Sequence, residues 1–405
     1  MSLDLRTGKP VWAINKPRTA RHSKLAKNIR SEVVVIGGGI SGALIAHRLT
    51  ELGMQVTIIE GRKIGAGSTA ASTAILSYEA DVNLGDLIKK FGRRAAVRAY
   101  RAGVEAIDSI GRTIKTLDDS CDFKKRRSLY LASSRRDVKL LEREFKTRRA
   151  NNFDVKLLGQ EELARRFTLD SPCAILNEQA AEVNPLKLTL ALVRSAQKKG
   201  LKVFIHTQVT TYLREGHESV LTTEDDFQIR AKHVVFATGY ETQQFLKQRT
   251  VRLVSTYAIA STPRLVFPAG YEYPVIWETA RPYLYIRTTA DLRLVVGGED
   301  VEFLDEKRRD RLLPGKTRIL QKKARRMFPH LSWKVAAAWT GTFAESSDGL
   351  PYIGPHKAYP GAQFALGYGG NGITFAAIAS RIIPDLISNT KNSDAHIFRF
   401  GRHSK

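Results

Sequence analysis

Val33-Val34-Val35-Ile36-Gly37-Gly38-Gly39-Ile40-Ser41-Gly42 decides how the rest of the chain is read. Four consecutive apolar, β-branched residues predict a short strand buried on both faces, as in a parallel sheet. The glycines follow at once, and residues 40–52 then carry apolar side chains at helical spacing up to Gly53, a helix terminator. A second strand over 55–59 ends on Glu60. Strand, glycine loop, helix, strand and acid form the βαβ opening in which G-x-G-x-x-G has a mechanism. Gly37 permits the tight turn, Gly39 lets the backbone approach a pyrophosphate, and Gly42 lets helix and strand close on each other. The helix N-terminus at Ile40 and Ser41 presents unpaired N–H groups and a partial positive charge to phosphates. Glu60 is placed to accept from a ribose hydroxyl and would repel a 2′-phosphate, which disfavours NADP. In that full context, with a second strand and an acid after the helix, the motif occurs once. Either the chain binds NAD alone, or it binds FAD and takes electrons straight from its substrate.

Composition bounds the rest. With 405 residues, 43% hydrophobic and 26% charged, the chain is an ordinary globular protein of two intertwined domains, which excludes wholesale disorder. Its apolar runs are strand-sized, far from the ~18–20 residues of a membrane span. Two cysteines, Cys121 and Cys173, build neither a disulfide framework nor a zinc site, and they fit a reducing cytoplasm. The formal charge of +25 brings nucleic acid, anionic lipid or an acidic substrate into consideration. The excess is spread along the chain and thickens at 124–127, 146–149 and 307–326 without interleaved aromatics, so a generally basic surface is expected over an RNA face.

Residues 1–30 form a basic leader in which Val11-Trp12-Ala13-Ile14 has the look of a packing segment rather than a targeting signal. Residues 86–149 read as helices broken by a strand at 128–132, followed by a helix at 185–199 and strands at 202–206, 209–213 and 227–237. From 251 to 300 the chain turns β-branched and aromatic, with strands at 254–261, 275–278, 283–287 and 292–296, a largely antiparallel sheet. A basic helix spans 307–328, and Gly-rich turns lead to a last helix at 373–387. The fold class is therefore α/β, α+β overall: a Rossmann-like domain discontinuous in sequence (31–85, 175–245, 336–405) with an inserted substrate domain (86–174, 246–335).

Several further segments carry a resemblance. Gly65-Ala66-Gly67-Ser68-Thr69 with Ser72-Thr73-Ala74, Glu182-Val183-Asn184-Pro185, Val234-Val235-Phe236-Ala237-Thr238-Gly239, Asp348-Gly349-Leu350-Pro351-Tyr352-Ile353-Gly354 and Gly367-Tyr368-Gly369-Gly370-Asn371-Gly372-Ile373 resemble, in order, the flavin-binding elements of the FAD-dependent D-amino-acid oxidase family, which includes glycine and sarcosine oxidases. Within it, Trp12, Trp277, the run Arg281-Pro282-Tyr283-Leu284-Tyr285-Ile286-Arg287 and Gly297-Gly298-Glu299-Asp300 are similar to the branch of amine oxidoreductases acting on γ-glutamylputrescine. The resemblance implies non-covalent FAD held by Gly37, Gly39, Ile40, Ser41, Gly42, Glu60, Gly67, Ser68, Thr69, Thr73, Ala74, Val209, Ala237, Thr238, Gly239, Gly341, Gly370, Asn371, Gly372 and Ile373. The turn entering the helix at Ile373 also aims a positive dipole end at the place where a reduced flavin gathers charge.

The family's amino-acid oxidases place an arginine shortly before Asp-Gly-x-Pro to clamp the substrate carboxylate. Here the matching stretch is Gly341-Thr342-Phe343-Ala344-Glu345-Ser346-Ser347, and Phe343 stands at that position. Loss of a bidentate guanidinium contact favours an amine without an α-carboxylate, oxidised by hydride transfer and then hydrolysed as the imine. Alternatively the clamp has moved, with Arg287 the candidate, and the substrate is glycine, sarcosine or a D-amino acid. Glu345 is a candidate for a distal ammonium group, and Tyr257, Tyr283 and Tyr285 for the substrate face. Oxygen or another acceptor would reoxidise the flavin. A flavoprotein acting on tRNA is a further alternative. No acid–base residue stands out, His47 reads as packed in its helix, and no metal spacing is seen.

Overall fold

The computed structural model describes residues 20–246, 251–303 and 305–402, together with residues 4, 6–14 and 17. Its first sheet is built on the expected opening. The strand Ile29–Ile36 lies parallel between Val56–Ile59 and Gln228–Phe236, with Lys202–Phe204 beyond the former and Ala362–Leu366 beyond the latter. Tyr352–Pro355 closes one edge antiparallel, and the hairpin Val209–Glu215/Glu218–Thr223 pairs with the first half of Gln228–Phe236. Val33, Val34 and Val35 are fully buried, as strands covered on both faces must be. The helix Ile40–Glu51 packs beside Pro185–Gln197 and the C-terminal helix Gly372–Ile387.

The second sheet runs Val335–Ser346, Val251–Ser261, Leu294–Glu302, Tyr285–Thr288, Val275–Glu278, Lys124–Leu131, Cys173–Glu182 and Ile75–Leu76, with Val155–Gly159 also on Cys173–Glu182. Every pairing is antiparallel except that of Val275–Glu278 with Lys124–Leu131. Three segments assigned by sequence to the Rossmann-like domain belong here instead: residues 75–76, 175–182 and 336–346. Their partners lie far away in sequence, so nothing local marks the change. The basic helix, observed as Glu306–Met327, covers the far side of this sheet through Leu320 and Ala324.

The basic run at 124–127 is structural. Lys125, Arg126 and Arg127 pair with Asp108, Glu182, Glu178 and Glu272. The leader packs too: Trp12 is buried and its indole donates to Ser72 O at 2.7 Å, and Arg6 Nε donates to Ala66 O at 2.8 Å. Among the described residues no helix is long and apolar enough to cross a membrane.

At Gly42 a side chain would collide with the Gly37 carbonyl, which is backbone and cannot step aside. Gly42→Val is therefore expected to cost about 1–3 kcal/mol, the price of overpacking, read as a lower thermal unfolding midpoint. An unchanged midpoint would contradict the close packing of helix and strand.

Candidate functional site

The two sheets enclose one large cleft of about 2130 Å³, counted out to its solvent-filled mouth. At one end Gly37 turns with φ 110°, and the helix Ile40–Glu51 points its N-terminus at the opening. Glu60 accepts from the amides of Gly38 (2.6 Å) and Arg62 (2.7 Å), which fixes the carboxylate at the end of its strand. Thr69 ties the second loop to the first by accepting from Ile40 N at 2.9 Å. Gly39, Ile40, Ser41, Gly67, Ser68, Thr69, Thr73, Ala74, Val209, Ala237, Thr238, Gly239, Gly341, Gly370, Asn371, Gly372 and Ile373 all line this cleft. Gly42 lies behind the lining, where its role is packing.

A dinucleotide fits this donor set. The glycine loop, the fixed acid and the start of Gly372–Ile387 face one elongated space, and the buried Tyr368 Oη on its wall has no partner among the described residues. Asn371 is held in place by donating to Glu79 O at 2.8 Å. Neither Cys121 nor Cys173 reaches the wall.

The substrate end is formed by the second sheet and the turn after Ile75–Leu76: Thr256, Ile276, Trp277, Tyr283, Tyr285, Phe343 and Asp81. Of the substrate-face candidates, Tyr285, Tyr283 and Phe343 line the cleft. Asp81, which sequence reading missed, accepts from Gly370 N at 2.8 Å, and burial pushes its carboxyl up from the usual range, with the Gly370 amide, Arg281 and Tyr283 holding it back. The one available signal was a pair of acids, Glu79 and Asp81, after the small and apolar run 74–77. Glu79, also missed, is occupied by Arg148, Asn177 and Ser77.

Three candidates are corrected. Tyr257 is fully buried on the opposite face of the sheet, among Ile259, Leu320 and Phe328, with its hydroxyl donating to Arg309 O. Side chains alternate along a strand, so Thr256 faces the cleft and its neighbour cannot. Arg287 is 1% exposed and spends its donors on Thr288 O, Ala74 O (2.9 Å), Val183 O (2.8 Å) and Glu182. It braces the cofactor loop and is no carboxylate clamp. Glu345 pairs with Arg252 at 2.9 Å and lines a smaller neighbouring cavity, shared with Asp81, rather than the main cleft.

This fold and cleft define a flavin-dependent oxidoreductase. The model of the DAO family, FAD dependent oxidoreductases, matches residues 32–386, and the chain belongs to that family. It is 25% identical over 399 residues to the gamma-glutamylputrescine oxidoreductase of Escherichia coli K12, covering 93% of this chain and 88% of that protein. It is 28% identical over 391 residues to the glycine oxidase of Bacillus subtilis 168, covering 92% and 97% respectively. The crystal structure of glycine oxidase from Geobacillus kaustophilus superimposes with a TM-score of 0.75 at 20% identity, over 93% of this chain and all (100%) of that one. The chain is thus an FAD-dependent oxidoreductase acting on amines or amino acids.

Replacing Arg287 with leucine removes the donor to the carbonyls of Thr288, Thr73, Ala74 and Val183 and leaves Glu182 with Arg126 alone. Arg287→Leu is expected to destabilise by about 3–5 kcal/mol, the range for breaking a buried pair, and to weaken FAD retention, both measured by thermal unfolding with and without added FAD. A stable, FAD-saturated variant that lost only affinity for carboxylated substrates would restore the clamp role.

Proposed function

We propose that the chain oxidises an amine that bears no carboxylate on the carbon being oxidised. One observation carries this reading: among the described residues no cationic side chain lines the substrate end of the cleft, Arg281 lying over the Tyr283 ring at 4.8 Å without joining the lining. Arg62 is the single lysine or arginine on the cleft wall, and it sits at the nucleotide end, paired with Glu241 at 2.6 Å. Phe343 occupies the wall where a clamp would stand, and Asp81 adds negative potential nearby. A carboxylate there would lose its water without gaining a partner, which is costly. An ammonium entering the same end meets a carboxylate and the aromatic faces of Trp277, Tyr283 and Tyr285, all attractive to a cation.

FAD, when bound, supplies the acceptor for the hydride whose departure turns the amine into an imine, which water then hydrolyses. The chain's own part is placement. Tyr283 and Tyr285, with ring centroids 5.7 Å apart, and Trp277 stacked on Tyr130 at 3.7 Å form a stiff wall against which the substrate carbon is oriented. Oxygen or another small acceptor completes the cycle in this reading.

The test compares kcat/KM for matched pairs, 1,4-diaminobutane against ornithine and 1,5-diaminopentane against lysine, in the wild type and in Phe343→Arg. The wild type should favour the diamine by at least about tenfold. The variant should lose diamine activity and gain on the amino acids, since a single charge-assisted contact of this kind is worth about 1.5–3 kcal/mol. A wild type that prefers the amino acid of each pair and yields its α-keto acid contradicts the proposal.

A further inference from the structure

The oxidation scheme makes no use of Gly297-Gly298-Glu299-Asp300. In the second sheet the register slips there: Ser255 pairs with Val301 and Tyr257 with Gly298, so Glu299 and Asp300 stand opposite Thr256 alone. Gly298 has φ 139° and Glu299 φ 60°, the latter a conformation that a residue with a side chain adopts only when its surroundings impose it. The imposing contacts are ion pairs from buried Glu299 to Lys316 (3.2 Å) and Lys323 on the basic helix. A bulge re-aims the neighbouring side chain, and here that side chain is Asp300.

Asp300 Oδ1 is shut off from solvent and has no hydrogen-bond partner among the described residues. The Thr256 hydroxyl lies beside this carboxylate and stabilises its charged form. The same hydroxyl is 2.7 Å from Tyr285 Oη. Thr256 and Tyr285 both line the cleft, and the Tyr285 ring presses on Gly297 so closely that no Cβ would fit there. A hydroxyl pair therefore leads from the substrate wall to a half-buried carboxylate whose Oδ1 is closed to solvent.

We propose that Asp300, acting through Thr256 and Tyr285, takes up the proton that an ammonium substrate must lose before it is oxidised; this rests on the amine reading above. One N–H bond of R–CH2–NH3⁺ breaks and its electron pair stays on nitrogen. The proton passes to Tyr285 Oη while the phenol's own proton moves to Thr256 Oγ1 and the threonine's proton to the Asp300 carboxylate. Neutral R–CH2–NH2 and protonated Asp300 result, both hydroxyls are regenerated, and nothing is oxidised or reduced. Tyr285 is the residue in contact with substrate, and Asp300 is a positioning and proton-holding residue behind it.

The electrostatics suit the role. Burial pushes the Asp300 carboxyl up to about 7; Thr256 opposes this, Glu345 and Asp81 add to it, and Lys316 opposes it. Tyr283 and Tyr285 beside it are held protonated by their own burial, and Tyr257, on the far face, is likewise raised. The carboxylate is ready to accept above about pH 7 and already occupied below it, so competence falls tenfold per unit as pH drops through that value.

Two readouts on the FAD-loaded protein test the assignment. The first is an infrared titration of protonated carboxyl groups, which needs no turnover: a band with a midpoint about 7 should be present in the wild type and absent in Asp300→Asn. The second is the anaerobic rate of flavin bleaching by 1,4-diaminobutane or 1,5-diaminopentane against pH. The wild type should show an acid limb at the same midpoint. Asp300→Asn should lose the limb and about 10²–10⁴ in limiting rate, the usual weight of a proton acceptor, while Asp300→Glu keeps it. Asp300→Asn removes a charge that burial penalises, so its thermal midpoint should not fall; should it fail to fold, Thr256→Val interrupts the relay with the charge intact and should bleach as slowly. An acid limb and rate unchanged in Asp300→Asn, or in Thr256→Val, overturn this proposal alone. Failure of both diamines to bleach the flavin overturns the amine reading and this proposal with it, whatever the infrared band shows.

Discussion

The cleft depends on a single buried cation. Arg287 leaves the second sheet and hands its protons to the carbonyls of Ala74, on the cofactor loop, and Val183, ahead of the helix Pro185–Gln197. Its charge is answered by Glu182, and Trp12 of the leader lies under it, 5.3 Å from the ring centre. Carbonyls buried without a donor cost about 1–3 kcal/mol each, so this guanidinium holds three separate stretches of chain to one geometry. Both walls of the cleft, the nucleotide-facing loop and the aromatic sheet, are registered against each other through it. Trp339 adds a second tie by donating to Ala71 O at 2.8 Å.

With the walls fixed, the chemistry follows from which charges point inward. The loop and helix ends at the nucleotide side present N–H groups and glycine backbone, a surface suited to phosphate. The opposite end presents phenols, an indole, Phe343 and the carboxylate of Asp81. The contrast is between a positive-ended nucleotide site and a negative, aromatic substrate site within one cleft. Little of the chain's basic character reaches this end: the Lys124–Leu131 strand and the buried part of the Glu306–Met327 helix hold cations in structural pairs, and Arg281 lies over the Tyr283 ring rather than on the cleft lining.

The nucleotide site was legible in the sequence because its parts are local. A strand, a turn and a helix fix Gly37, Gly39 and Gly42 within a dozen residues, and Glu60 is one strand away. Phe343 was read from the resemblance and Tyr285 from its strand, and both line the cleft. The failures were all questions of which face or which neighbour. Tyr257 and Thr256 differ by one residue and face opposite sides of the sheet. The bulge at Glu299 and Asp300 interrupts the alternation that would have placed Asp300. Arg287 shares its strand with Tyr285, yet its fate depends on carbonyls more than a hundred residues distant. Residues 175–182 and 336–346 join the second sheet through partners that no periodicity reveals.

The most direct measurement is a single-turnover one: the purified FAD-loaded protein, without oxygen, mixed in turn with 1,5-diaminopentane and with lysine, while the flavin absorbance is followed. The two compounds differ only by the carboxylate for which the cleft has no cation. The account predicts rapid loss of the oxidised flavin bands with the diamine and little or none with lysine. Bleaching by lysine with its α-keto acid as the product, and the diamine inert, would contradict it, since among the described residues no cation lines this end to hold a carboxylate.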